Sequence, residues 1–261
     1  MLNNYKIIRE ISSGTFSKVY ECYNIKINRS FAIKSDESNL IKYEANIYNK
    51  LREIENIPKI YDFFCIKNTY YLVLDLMSMT LVDYKNRNYQ SANYDNKLKT
   101  IITQLITTIE KIHNKSIIHR DLKPNNICFD NNQKLYIIDF GLSKYYIIND
   151  CHIENTKLTN IIGSSNFCSL NILNLLQPSR RDDIESVIYI LLYLILDEKT
   201  YLVFNNLSLD KKKDVNTIEK LLELNKNILY NNIIIILKYI RRLRFEQKPN
   251  YKYIIEILSN Y

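Results

Sequence analysis

The chain has 261 residues, 46% of them hydrophobic, which is enough to bury a substantial core and favours one compact unit over several domains. No apolar stretch reaches the roughly 20 residues needed to cross a bilayer, and no leader peptide opens the sequence, so we expect a soluble protein of the cytoplasm or nucleus. The net charge of +8 could attract nucleic acid or acidic proteins, but the abundant Lys, Asn, Ile and Tyr are typical of an AT-rich genome, and we favour that explanation.

The first 75 residues alternate short apolar runs with turns and predict a β-rich N-terminal part. Three strands are expected at Tyr5–Ser12, Lys18–Tyr23 and Ser30–Ser35, with two more inside Ile66–Asp75 around a turn at residues 67–69. The apolar residues of Leu40–Ile54 recur at close to a helical period, which predicts one helix between the third and fourth strands.

A turn rich in Ser and Gly joins the first two predicted strands, in the sequence ISSGTFSKV. Such a turn is weak evidence for phosphate binding by itself. Its spacing to Lys34 strengthens the case, because a lysine on the next strand can reach phosphates that the turn covers. Lys34 needs a carboxylate partner to hold it extended. We prefer Glu44 on the predicted helix, with Glu37, Glu53 and Glu55 as alternatives.

The C-terminal half is predicted to be mostly helical. Apolar residues follow an i, i+3, i+4 spacing from Asp95 to Asn114, and further helical patterns cover residues 182–197, 214–227 and 230–243. The Lys211–Lys213 run is expected to be a solvated loop, with a substrate-facing role as the alternative. A β-rich part followed by a helical part predicts the α+β class.

The most informative segment reads HRDLKPNNICFDNNQKLYIIDFG. Phosphoryl transfer from a nucleotide needs a positioned hydroxyl, metal ions on the phosphates and cations against the developing charge. Asp121 is the candidate to accept the proton of the substrate hydroxyl or to orient that hydroxyl, and Lys123 would meet the γ-phosphate. Asn126 and Asp139 would each ligate a Mg2+ ion, since Mg2+ prefers a few oxygen ligands together with phosphate oxygens. This spacing predicts a protein kinase, and the alternative is a solvated, Asn-rich loop.

Such a kinase would bind ATP with Mg2+ or, alternatively, Mn2+. The expected nucleotide contacts lie in the Ser/Gly turn, on the Lys34 strand, around the end of the fifth strand and in the catalytic segment. They are Ile11, Ser12, Ser13, Gly14, Thr15, Phe16, Ser17, Lys18, Val19, Ala32, Lys34, Leu74, Asp75, Met77 and Cys128. Val19, Ala32 and Cys128 suit an adenine sandwich, with Leu74 at the back of the pocket. Each of these side chains also suits an ordinary core.

With these motifs in place, the chain resembles the eukaryotic protein kinase superfamily over nearly its whole length, and within it the casein kinase I family. The tripeptide SLN that starts at Ser169 is similar to that family's Ser-Ile-Asn. The segment SRRDDIES from Ser179 is similar to its SRRDDLES, and LRFEQKPNY from Leu243 is similar to its LRFDDKPDY. The trimmed domain and the composition favour a divergent member from a large DNA virus or a parasite; a viral member would act in the host cell.

The resemblance implies a bilobal protein kinase fold in a single domain of residues 1–261. A small β-rich N-lobe with one main helix would span about residues 1–76, and a larger, mostly α C-lobe about residues 77–261. It also implies serine/threonine specificity, ATP as the phosphate donor and Mg2+ as cofactor. Asp183 would support the catalytic loop from beneath.

Casein kinase I enzymes favour substrates with acidic or phosphorylated residues upstream of the target, which Arg and Lys side chains would receive. Here Asn166 stands where that family has an arginine, which leaves acid-directed specificity open, with Lys157 or Lys211–Lys213 as compensating cations. Ser12 and Ser17 replace two of the three glycines expected in the phosphate-covering turn. This replacement supports the alternative function, a catalytically weak pseudokinase that acts as an interaction scaffold.

A kinase for small molecules is a third hypothesis, disfavoured because it should lack the RRDD and RFxxKP features. We expect protein substrates, acidic ones among them, and a monomer that binds neither membranes nor nucleic acid. The five cysteines are scattered without paired spacing, which predicts reduced thiols rather than a zinc site or disulfides.

Overall fold

The computed structural model describes residues 2–14, 17–224 and 229–259. Thr15 and Phe16, two of the predicted nucleotide contacts, and the last three residues of the helix predicted at 214–227 lie outside this part of the chain. The chain divides into two compact units. The N-terminal unit comprises Met1–Thr80 and Ile127–Gly141, and the C-terminal unit comprises Leu81–Asn126 and Leu142–Tyr261.

Strands concentrate in the N-terminal unit and helices in the C-terminal unit, which confirms the α+β class. The strands are β1 (Tyr5–Ser13), β2 (Ser17–Asn24), β3 (Arg29–Asp36), β4 (Ile60–Ile66), β5 (Thr69–Asp75), β6 (Met79–Thr80), β7 (Ile117–Ile118), β8 (Ile127–Phe129), β9 (Leu135–Ile137), β10 (Lys144–Tyr145), β11 (Ile147–Ile148) and β12 (Cys151–His152). The helices are α1 (Leu40–Leu51), α2 (Leu81–Asn88), α3 (Tyr94–Asn114), α4 (Leu170–Leu173), α5 (Arg180–Ile195), α6 (Glu198–Asn205), α7 (Leu209–Lys213), α8 (Val215–Leu224), α9 (Tyr230–Arg242) and α10 (Tyr251–Ser259).

An antiparallel sheet in the order β1-β2-β3-β5-β4 forms most of the N-terminal unit. The first three strands and α1 lie where the sequence predicts them, but the predicted start of the fourth strand is wrong, because β4 begins at Ile60 rather than near Ile66. Tyr61 and Phe63 are exposed on one face of β4, and Asp62 is half-buried on the other. Apolar residues on both faces therefore hide the alternation that marks a strand.

Helix α1 packs against β3, β4 and β5 and buries one face. The buried residues are Ile41, Glu44, Ala45, Ile47, Tyr48 and Leu51. Two of them, Glu44 and Tyr48, carry polar groups. Buried polar groups in folded proteins are almost always hydrogen-bonded, so these two side chains must find partners inside the unit.

Strand β9 brings the chain to Asp139 and is fixed by one asparagine. The amide Nδ2 of Asn56 donates to the carbonyl oxygen of Leu135 at 2.7 Å, and the Ile137 N–H donates to the carbonyl oxygen of Asn56 at 3.0 Å. β9 also pairs with β8, which pairs with β6. Because these bonds hold both ends of a three-residue strand, they fix where Asp139 leaves the sheet.

Helix α5 forms the centre of the C-terminal unit, and α3 and α9 pack against it. It begins at Arg180 rather than at the predicted residue 182, and its first turn is capped by Asp182, whose Oδ2 accepts the Ser179 N–H at 2.7 Å. In the part of the chain that the structure describes, no helix combines the length and the apolar character needed to cross a bilayer.

The prediction of a solvated loop at Lys211–Lys213 is wrong. These residues end α7, and Lys212 and Lys213 are 5% and 1% exposed. The Lys212 amine donates to Oδ1 of Asn166 at 2.8 Å, and the Lys213 amine donates to the Asn166 carbonyl oxygen at 2.9 Å while lying 3.4 Å from the Tyr189 ring centroid. Neutral oxygens and an aromatic ring thus replace the water that a lysine run usually needs. Lys157, considered as a substitute for the missing arginine, is exposed.

Lys85 of α2 is also buried, with 7% of its surface exposed. Its amine donates to the carbonyl oxygens of Tyr193 at 2.5 Å and Leu196 at 2.8 Å, at the C-terminal end of α5. Burial lowers the pKa of Lys85 to about 8, against the opposing effect of the Asp197 and Glu198 charges.

We expect the wild type to gain stability relative to a Lys85→Met variant as the pH rises from about 7 to about 9.5. The folded state releases the Lys85 proton near pH 8, whereas the unfolded chain holds it to about pH 10.5, so the unfolded state binds more protons in this interval. The wild-type free energy of unfolding should rise by about 2 kcal/mol more than that of the variant.

Chemical denaturation at each pH measures this difference. Lys252→Met, at a side chain that is 87% exposed, is the matched control and should follow the wild type. Equal pH slopes for the wild type and Lys85→Met would show that the buried amine does not titrate in this range.

Candidate active site

Lys34 on β3 forms two ion pairs within the N-terminal unit. Its Nζ lies 2.8 Å from Oε2 of Glu44 and 2.7 Å from Oδ1 of Asp139. Strand β3 supplies an extended backbone for the lysine, and α1 presents Glu44 from its buried face. Glu44 is thus placed against Lys34 as the preferred carboxylate, and Asp139 is a second partner that the sequence does not predict.

The charges of Glu44 and Asp139 determine the protonation state of Lys34. Burial lowers the pKa of Lys34, but the carboxylates of Glu44 and Asp139 outweigh burial and the pKa is raised. Burial raises the pKa of Glu44, which is 1% exposed, against the opposing charge of Lys34. Lys34 is therefore positively charged at neutral pH, which is the state in which a lysine amine can bind phosphate oxygens.

The Ser- and Gly-rich turn joins β1 to β2 as a hairpin. Ser12 pairs with Val19 across the two strands, and the Gly14 N–H donates to the Ser17 carbonyl oxygen at 2.8 Å. The other described contacts predicted in this segment lie on the same two strands: Ile11, Ser13 and Lys18. Among the described residues, a positive φ occurs at neither Ser12, Gly14 nor Ser17. Serine therefore introduces no left-handed strain into this hairpin.

Four predicted adenine-facing residues belong to the N-terminal unit. Ala32 pairs with Leu74 between β3 and β5, and Val19 pairs with Lys34 between β2 and β3. Cys128 is 3% exposed on β8. The register thus gathers Ala32, Leu74 and Val19 onto adjacent strands around Lys34.

The carboxylate of Asp75, another predicted nucleotide contact, is hydrogen-bonded to other groups of the protein. Oδ1 accepts from Nη2 of Arg29 and from the hydroxyl of Tyr61, each at 2.8 Å, and Oδ2 accepts the Lys59 N–H at 2.9 Å. A nucleotide contact at this position would therefore come from the main chain. Met77, which follows β5, is half-buried.

Asp121 lies in the C-terminal unit, 7% exposed, and four donors surround its carboxylate. Oδ1 accepts the Ser164 N–H and the Ser164 hydroxyl, both at 2.9 Å. Oδ2 accepts from Nζ of Lys123 at 2.7 Å and from Nδ2 of Asn126 at 3.2 Å. The structure thus brings three predicted site residues, Asp121, Lys123 and Asn126, together around the Asp121 carboxylate.

Ser164 is not among the residues predicted from the sequence. It reaches Asp121 because Gly163 has a φ of 78°, and a Cβ at Gly163 would overlap the carbonyl oxygen of Arg120. Only glycine allows so close an approach at this backbone angle. The signal that could have identified Ser164 is this glycine itself, one of three in the chain.

Asp183 holds the segment before Asp121 from inside α5. Its Oδ1 accepts the Arg120 N–H at 2.9 Å, and its Oδ2 accepts the His119 N–H at 2.7 Å and Nε2 of His113 at 2.9 Å. Nδ1 of His113 lies 2.6 Å from the hydroxyl of Tyr251. A chain of hydrogen bonds therefore links the catalytic segment to α5, α3 and α10.

The directions of the pKa shifts indicate where the protons of this hydrogen-bond chain lie. Burial lowers the pKa of His113, although Asp183 opposes the change, so the imidazole is neutral at neutral pH. Burial raises the pKa of Asp183, but hydrogen bonds from the His113 side chain and the His119 backbone N–H oppose it, and the pKa is lowered. Nε2 of His113 then donates to the ionised Asp183, and the Tyr251 hydroxyl donates to Nδ1.

Asn126 in the C-terminal unit and Asp139 in the N-terminal unit each carry a side-chain oxygen that could bind a metal ion. Nδ2 of Asn126 donates to the Asp121 carbonyl oxygen at 2.9 Å, so the amide nitrogen is engaged within the protein. The Asp139 side chain is 41% exposed. Both offer the hard oxygen ligands that Mg2+ prefers. Within residues 2–14, 17–224 and 229–259, no group of three or more His, Cys, Asp or Glu could hold a metal by itself.

Comparison with known proteins identifies the family of this chain. The protein kinase domain family matches residues 5–253, which include every candidate group described above. A probable casein kinase I homolog of Encephalitozoon cuniculi (strain GB-M1) is 32% identical over 270 residues, covering 98% of this chain and 84% of the relative. The chain therefore belongs to the protein kinase family and is a casein kinase I-like member of it.

Proposed function

We propose that this protein is an active kinase that transfers the γ-phosphate of ATP to serine and threonine hydroxyls of protein substrates, with residues 1–261 as one kinase domain. Asp121 accepts the hydroxyl proton, Lys123 meets the γ-phosphate and Lys34 meets the α- and β-phosphates. Asn126 and Asp139 would hold Mg2+, which supplies positive charge on the phosphates. Lys123, two residues after Asp121, matches the loop of serine/threonine kinases rather than that of tyrosine kinases.

The arrangement around Asp121 carries this proposal. A general base must hold its carboxylate at hydrogen-bonding distance from the substrate hydroxyl, in a fixed orientation. Both oxygens of Asp121 are oriented here by charged or polar donors, and its main-chain neighbours are fixed by Asp183. A scaffold protein would have no need for a carboxylate held so tightly.

The alternative is a pseudokinase that binds partners without transferring phosphate. Its support is Ser12 and Ser17 in the phosphate-covering turn. A serine in place of glycine costs about 0.5 to 1 kcal/mol where glycine angles are required. Both serines lie in strands and neither has a positive φ, so that cost does not arise from the backbone conformation. A missing general base would cost roughly 100- to 10,000-fold in rate, and here Asp121 is present.

The test is to incubate the purified protein with Mg2+, labelled ATP and a general acidic protein substrate. We expect labelled substrate with the wild type and strong loss of label with Asp121→Asn and with Asp139→Asn. ATP with Mg2+ should also raise the melting temperature of the wild type. An absence of both transfer and thermal stabilisation in the wild type would favour the scaffold instead.

A further inference from the structure

Helix α1 contacts two consecutive main-chain amides of the Asp139–Phe140–Gly141 segment. The Asp139 N–H donates to the hydroxyl of Tyr48 at 3.1 Å, and the Phe140 N–H donates to Oε1 of Glu44 at 3.1 Å. Glu44 and Tyr48 are four residues apart, so they lie one above the other on the buried face of α1. One helical turn thus binds both amides from the same side.

Glu44 has two tasks that use different oxygens. Its Oε2 pairs with Lys34, and its Oε1 accepts the Phe140 amide. Tyr48 contacts the same segment in two ways. Its hydroxyl accepts the Asp139 N–H, and its ring packs edge-on against the Phe140 ring, with centroids 5.0 Å apart. The hydroxyl and the ring of Tyr48 can therefore be tested separately, because phenylalanine keeps the ring.

The residue that the Tyr48 hydroxyl binds, Asp139, has an unusual backbone conformation. Asp139 has a φ of 64°, in the left-handed region that L-residues other than glycine seldom adopt. Such a conformation persists only when surrounding contacts determine it. The side chain of Asp139 points from this strained residue towards Lys34, so a change in the backbone would move the carboxylate.

We propose that Tyr48 is a positioning residue, whose hydroxyl holds the Asp139 backbone in its left-handed conformation and thereby aims the Asp139 carboxylate at Mg2+. The role of Asp139 as a metal ligand rests on the proposed function; the contact of Tyr48 with its amide does not. Tyr48 is 2% exposed, so water cannot readily replace its hydroxyl. Burial raises the pKa of Tyr48, and the hydroxyl is uncharged at any pH suited to an assay.

Hydrogen exchange in the absence of ATP tests the contact directly. In Tyr48→Phe we expect the Asp139 amide to exchange about tenfold faster than in the wild type, because its N–H loses its hydrogen-bond acceptor. The Phe140 amide, which Glu44 holds, should change less. Tyr71→Phe is the matched control. Tyr71 stacks on Phe64 in the same unit, and loss of its hydroxyl should leave the exchange rate of the Asp139 amide unchanged.

The second readout is the Mg2+ concentration that gives half-maximal thermal stabilisation by ATP. Loss of a group that orients a metal ligand typically weakens metal affinity about 10- to 100-fold, so this concentration should rise about tenfold in Tyr48→Phe and stay constant in Tyr71→Phe. A lower melting temperature of Tyr48→Phe without either change would show that the hydroxyl contributes to stability without positioning Asp139, and would overturn the proposal.

The two readouts distinguish a failure of the proposed kinase function from a failure of the positioning role of Tyr48. If the wild type shows no response to ATP with Mg2+, the proposed function fails, and Asp139 exchange still decides whether Tyr48 holds the backbone. Unchanged exchange at Asp139 in Tyr48→Phe overturns the positioning role whatever the activity of the wild type.

Discussion

Asp121→Asn is expected to lower the rate of phosphate transfer by about 100- to 10,000-fold while leaving ATP binding within about threefold of the wild type. Asparagine has nearly the same shape as aspartate and can still accept from the Ser164 N–H, so the fold should survive the change. It cannot accept a proton from the substrate hydroxyl. The loss should therefore appear in kcat, with a small effect on the KM for ATP.

Single-turnover transfer at saturating ATP and Mg2+ measures this effect. Asp210→Asn, at an exposed carboxylate of α7, is the matched control and should transfer phosphate at the wild-type rate. If Asp121→Asn retained more than about a tenth of the rate, a general-base role for Asp121 would be untenable.

Asp183→Ala is expected to destabilise the protein by about 3 to 5 kcal/mol, because it removes a buried charge that serves three donors. The N–H groups of His119 and Arg120 and Nε2 of His113 would lose their acceptor inside the protein. Denaturant unfolding measures the loss. Asp210→Ala should change the free energy of unfolding by less than about 0.5 kcal/mol.

The same variant predicts a pH dependence. The folded-state pKa of Asp183 is lowered, so its stabilising contribution is present above the ordinary carboxyl pKa and is lost as the pH falls through the folded value. The difference in free energy of unfolding between wild type and Asp183→Ala should therefore be constant at neutral pH and shrink in acid. A difference that grows in acid would mean that the sign of the pKa shift is wrong.

The sequence predicts the parts of the site that depend on local pattern. The helical period of residues 40–54 places Glu44 on a buried face, and the strand that carries Lys34 follows from alternating apolar residues. The order of Asp121, Lys123 and Asn126 within six residues makes their convergence predictable, because so short a segment cannot separate them widely.

Other features depend on contacts between distant residues and carry no local signal. Ser164 meets Asp121 across 43 positions, and Tyr48 meets Asp139 across 91. Lys212 looks like a surface charge until Asn166, 46 positions earlier, supplies its acceptor. The assignment of residues 127–141 to the N-terminal unit is likewise a consequence of strand pairing through β8 and β9 rather than of sequence order.

The measurement that tests the central claim most directly is phosphoamino-acid analysis of a protein substrate after incubation with γ-labelled ATP and Mg2+. An active casein kinase I-like enzyme predicts label on serine or threonine with the wild type, and none with Asp121→Asn. Label on tyrosine would contradict the proposed serine/threonine specificity. Unlabelled substrate, from a folded wild-type protein given ATP and Mg2+, would contradict the claim that Asp121 and Lys34 serve phosphate transfer at all.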